Sequence, residues 1–110
     1  MRTASLALLV LAAASACSAP PEASGAVTGT VQRVDLEPMA YDGDAVIVLR
    51  TDSGETVEVR VAARMNLCEA EGLAVVGELR PGDRVEVVGE RGEDGAVRPC
   101  MSAQHRLVRV

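Results

Sequence analysis

From Gly25 onward the apolar residues of this chain recur at every second position, and that period excludes a helical bundle. Val27, Gly29 and Val31 alternate with Thr28, Thr30 and Gln32, while Val57, Val59 and Val61 alternate with Glu58 and Arg60. Such alternation describes strands with one buried face, because successive side chains of a strand point to opposite sides. The chain has no Phe and no Trp, and Tyr41 is its single aromatic residue, yet 48% of it is hydrophobic. Its core must therefore be aliphatic and β-branched. A length of 110 residues holds one domain.

The pattern can be followed strand by strand. After Val31 the apolar phase slips by one residue to Val34 and Leu36, as a β-bulge would make it do. Glu37–Asp44 contains Pro38 and Gly43 and reads as a loop. Ala45–Leu49 is a continuous apolar strand, and Asp52-Ser53-Gly54 turns it into Val57–Val61 as a hairpin. Asn66 stands three residues before Glu69, the spacing of a capping box, and Gly72 is placed to end the short helix that follows. That helix would carry Cys68. Leu73–Val76 suits a strand or continued helix equally. Leu79-Arg80-Pro81-Gly82-Asp83 turns the chain into the strand Val85–Gly89, and Gly92–Gly95 turns it again into Ala96–Cys100. Pro99 restricts that last strand to an edge or breaks it, and His105–Val110 closes the chain with another alternating run.

Three strands, a short helix and two strands are the element order of a small Greek-key barrel. In this the chain resembles the oligonucleotide/oligosaccharide-binding (OB) fold, in the manner of small bacterial envelope proteins that use it. The resemblance rests on Val27-Thr28-Gly29-Thr30-Val31 as a bulged first strand, on the helix between strands three and four, and on Leu79-x-Pro81-Gly82-Asp83-x-Val85-x-Val87-x-Gly89. It covers most of residues 26–110 and implies a mainly β, five-stranded OB-like barrel. A different small β-barrel or sandwich is the competing architecture.

The first sixteen residues read as an address. Arg2 precedes an apolar run from Ala4 to Ala14, too short for the roughly 20 residues of a membrane span and ending in small residues, as a secretory signal peptide does. Ala14-Ser15-Ala16-Cys17 resembles the bacterial lipoprotein box, in which small residues precede a cysteine that is lipidated and becomes N-terminal. Ala14 departs from the larger aliphatic residue usual there, and Ala14-x-Ala16 also suits ordinary cleavage with soluble secretion. Residues 17–25, rich in Ser, Ala and Pro, then read as a lipidated cysteine and flexible tether before a barrel over 26–110. The resemblance implies a palmitate-bearing lipoprotein on the bacterial cell envelope, facing the periplasm or exterior. Cleavage removes Arg2 and no acid, leaving ten Arg against sixteen Asp and Glu, a net charge of −6. So acidic a domain is repelled by anionic headgroups, and the acyl chains must supply attachment.

With Cys17 committed to lipid, Cys68 and Cys100 remain as an even pair in an oxidising compartment. A disulfide between them would stabilise the fold by roughly 3–4 kcal/mol in the chain-entropy model. Two buried thiols or a pair of metal ligands are the alternatives, although no C-x-x-C or close Cys/His spacing supports the latter.

Little in the sequence points to chemistry. Nucleic acid is not an expected partner, since a stacking platform and a basic face are both missing. Met39, Met65, Met101 and His105 offer ligands suited to copper, with Met101 and His105 the closest in sequence. Their plainer reading is that the methionines fill irregular core space and His105 is an exposed strand residue. Asp42 and Asp44 flank Gly43 as a solvated turn would. No Ser or Cys is paired with a base in a recognisable motif, so no enzyme and no cofactor is expected. A binding or structural module for an envelope protein or a small ligand is the leading expectation. A periplasmic protein binding copper or another metal or cofactor is the alternative.

Overall fold

The computed structural model describes residues Ser24–Val110. The expected signal peptide, the lipid site Cys17 and the tether as far as Ala23 lie outside the described residues. Six strands carry the period-two pattern: β1 (Ser24–Asp35), β2 (Ala45–Thr51), β3 (Thr56–Val61), β4 (Arg84–Arg91), β5 (Val97–Arg98) and β6 (Arg106–Arg109). They are ordered β1-β2-β3-β5-β4, and β4 pairs back onto β1 to close a barrel. β3 and β5 run parallel where Val59 meets Val97, and the other ladders are antiparallel. The result is the closed, five-stranded OB-like barrel expected from the sequence, with β6 added along β4.

β1 serves two partners. Ser24–Thr30 pairs with β4, and Gly29–Asp35 pairs with β2. The strand begins at Ser24, so Ser24 and Gly25 already lie opposite Glu90 and Gly89. The bend between its two halves is helped by a bulge: Val31 faces Leu49 and Arg33 faces Val48, leaving Gln32 as the extra residue. Beyond the bulge Val34 packs against the core, which is why the apolar phase slips there.

The barrel interior is filled by aliphatic side chains. Ile47 and Leu49 of β2, Val59 and Val61 of β3, Val85 and Val87 of β4 and Leu107 of β6 are each no more than 1% exposed. Each contributes roughly 1.5–3 kcal/mol by leaving water. Leu73, Val76 and Leu79, from the connection between β3 and β4, join the same core. The Leu79–Asp83 turn is fixed by its own residues: Asp83 Oδ2 accepts the Arg80 N–H at 2.9 Å. Its backbone then exchanges two 2.8 Å bonds with Val31, docking the turn beside the bulge.

Helical structure departs from expectation. The helix placed over Asn66–Glu69 is only a 3₁₀ turn, Met65–Leu67, with Asn66 inside it and no side-chain cap. Cys68 follows in extended conformation, and the Glu69 N–H donates to Cys100 instead of entering a helix. Gly72 ends nothing; it precedes a second 3₁₀ helix, Leu73–Glu78. Between β1 and β2, a 3₁₀ helix over Glu37–Tyr41 occupies the expected loop.

Candidate functional site

The least regular part of the barrel is its fifth strand. Glu90 pairs with Arg98, but Val88 pairs with Arg106, so two steps along β4 correspond to eight along the other chain. β5 and β6 are one strand interrupted by a six-residue detour. Pro99 starts the detour because it has no N–H to give the ladder. Gly89 marks the place on β4, where an added Cβ would lie 2.6 Å from Pro99 N.

The detour is tied to the segment after β3. Cys68 and Cys100 are bonded, with sulfurs 2.06 Å and Cα atoms 4.5 Å apart. Cys100 O accepts the N–H groups of Glu69 and Ala70 at 2.7 and 3.1 Å. Glu71 N donates to His105 O at 3.1 Å, and Leu107 N returns a bond to Glu71 O at 3.0 Å. These partners explain why residues 69–71 are not helical: their donors are satisfied by the detour, and a helix would have to give those bonds up. Gly72 follows in left-handed conformation, φ 83°, with its backbone against Leu107 O where a Cβ would overlap.

Inside the detour, His105 closes the turn. Its Nδ1 accepts the Cys100 N–H at 3.1 Å, so the neutral ring carries its proton on Nε2. His105 is thus a half-buried hydrogen-bond acceptor and not the exposed strand residue of the plainer sequence reading. Met101 is 72% exposed, with Sδ 3.7 Å from Cys100 Sγ. Met39 and Met65 pack against the core as filler, whereas Met101 does not. Of the four candidate copper ligands, the fold brings only Met101 and His105 onto one turn. Among the described residues no three His, Cys, Asp or Glu side chains are grouped as a metal would need.

Two further loops reach the same end of the barrel. Ala45 pairs with Val61, and β3 runs parallel to β5, so the loop before β2 and the segments after β3 and β5 emerge together. Arg64 Nη2 lies 3.4 Å from Asp42 Oδ2 and links the first two of them. This ion pair, and the left-handed Asp42 at φ 66° that ends the 3₁₀ helix, give the Asp42-Gly43-Asp44 turn a structural role. Leu36, Tyr41, Leu67 and Met101 all sit on these loops and are 39%, 84%, 66% and 72% exposed. Sequence reading had no signal for this grouping, because each residue lies on a different segment or on a separate part of one.

A concavity of about 370 Å³ lies beside the β4–β5 turn and is lined by Glu55, Thr56, Val57, Glu58, Arg91, Asp94, Gly95 and Ala96. Three of its four charged side chains are engaged by neighbours: Glu58 by Arg60, Arg91 by the Gly95 carbonyl and Asp94 by Arg98. Arg98 bonds both oxygens of Asp94 at 3.3 and 2.9 Å, and Asp94 Oδ1 also accepts the Ala96 N–H. The Arg98 hydrogen bonds, then the Ala96 N–H, hold the Asp94 carboxyl well below the usual carboxylate range. Asp94 therefore organises the turn as a carboxylate that accepts from Arg98 and Ala96. No family model matches this chain, and no curated protein matches it either.

Proposed function

We propose that this chain is a lipid-anchored, non-enzymatic binding module of the bacterial cell envelope, held by acyl groups on Cys17 and presenting the outside of its barrel to a protein or small ligand. The observation that carries the reading is the filled interior: aliphatic side chains occupy the barrel, so recognition falls to its loops and outer face. The lipobox-like Ala14-Ser15-Ala16-Cys17 supplies the anchor in this account. Membrane fractionation of cells fed labelled palmitate tests it. Wild type should be labelled and sediment with membranes, and Cys17→Ala should be unlabelled. A wild type without label, beside a control lipoprotein that takes it, overturns the anchor.

A second reading, copper binding, is supported by Met101 and His105 sharing one disulfide-tied turn. Titrating the mature domain with Cu(I) tests this one. Binding that is lost in Met101→Ala and in His105→Ala supports it, and no binding by wild type ends it.

A further inference from the structure

The segments that carry the exposed apolar side chains at the tied end of the barrel hold mostly acids. Residues 35–44, 62–72 and 99–105 hold Asp35, Glu37, Asp42, Asp44, Glu69 and Glu71 against Arg64 alone. From residue 24 onward the sequence has fifteen acids and ten Arg, so nine of each remain elsewhere and the net charge of −5 over these residues belongs to this end. The contrast extends to pairing. Elsewhere Asp52, Glu58, Glu78, Asp83, Glu86 and Asp94 each meet an Arg within 4.0 Å. At this end, among the described residues, only Asp42 does. Arg98 feels the charge of Asp44 but is bonded to Asp94.

We infer that this end, centred on Leu36, Tyr41, Leu67 and Met101, docks a protein whose contact face has an apolar centre and a rim of Lys and Arg. Apolar side chains held in water by short loops gain from being covered, at roughly 25 cal/mol per Å². The sign of the rim selects what covers them. A second copy would bring two net-negative rims together, and an anionic lipid surface would meet the same repulsion. A basic rim is complementary to both the charge and the unpaired carboxylates. This inference rests on the binding-module reading but not on the anchor.

The test uses the full chain in its own cells, with benzoylphenylalanine placed singly at Tyr41, at Leu67 and, as a control away from this end, at Glu93. The expected result is one envelope protein crosslinked from positions 41 and 67 and not from 93. Once identified and purified, that protein should bind the domain in a salt-sensitive way. Glu37→Lys with Glu69→Lys should weaken the binding about tenfold or more, as should Leu67→Ser with Met101→Ser. All four side chains are exposed, so an unchanged melting temperature verifies folding. Adducts only to a second copy or only to lipid, equal adducts from position 93, no adduct, or binding indifferent to the charge reversal would each overturn the inference. Palmitate labelling of the same cells reports the anchor separately, and a soluble Cys17→Ala chain that still binds the purified partner shows docking without it.

Discussion

Beyond the bonds to its carbonyl, Cys100 is held at two further groups: its sulfur is bonded to Cys68, and its N–H donates to Nδ1 of His105 at 3.1 Å. The first bond ties the detour to the chain after β3, and the second closes the detour on itself. With a core that lacks the large burials of Phe and Trp, both matter to whether this end has one shape.

The disulfide closes a sequence separation of 32 residues in a small domain. Cys68→Ser with Cys100→Ser should lower stability by roughly 3–4 kcal/mol. Urea denaturation with and without reductant checks this, and the reduced wild type should match the double variant. Amides of residues 65–71 and 99–105 should lose protection from hydrogen exchange first.

His105→Ala leaves the Cys100 N–H without its acceptor. The expected cost is about 1 kcal/mol, at the low end because the group is only half-buried and water can partly replace the ring. Chemical denaturation measures it. The disulfide should still form, as thiol alkylation before and after reduction will show.

The two ends of the hydrophobicity scale should behave oppositely on truncation. Leu49→Ala, at a side chain 0% exposed, should cost about 2–5 kcal/mol through lost burial and an unfilled cavity. Met101→Ser should stay within about 0.5 kcal/mol. Melting curves of the two variants separate a core role from a surface one.

Asp94 gives the pH dependence a sign. Its carboxyl is lower in the folded chain than in the unfolded one, so its stabilisation is present above the unfolded value of about 4 and fades as pH falls below it. Asp94→Asn should therefore flatten the decline of melting temperature between about pH 4 and pH 2. An unchanged slope would contradict the assignment.

Much of the barrel was legible in the residues because its signals are local. The slip from Val31 to Val34 is a bulge written in the alternation, the Val57–Val61 hairpin needs only its turn, and Pro99 marks the break in the last strand. The site was less legible. Asn66 and Glu69 have capping-box spacing, but the Cys68 link and the Cys100 carbonyl draw the backbone out, and tertiary bonds outweigh a weak local preference. Arg98 and Arg106 give no sign that they belong to one ladder with a detour between them. Leu36 reads as a strand position, Leu67 as part of a short helix and Met101 as a candidate metal ligand; nothing in the sequence groups them until the parallel pairing of β3 with β5 brings their segments to one end.

The proposal is that anchoring turns this small barrel into an envelope module, and the intact mass of the mature protein from membranes tests that claim most directly. The account predicts a chain that begins at Cys17 and carries covalent acyl lipid. It also predicts that two cysteines, Cys68 and Cys100, become alkylatable only after reduction. A mature chain of unmodified mass would contradict the anchor, and alkylation of both cysteines without reductant would contradict the tie.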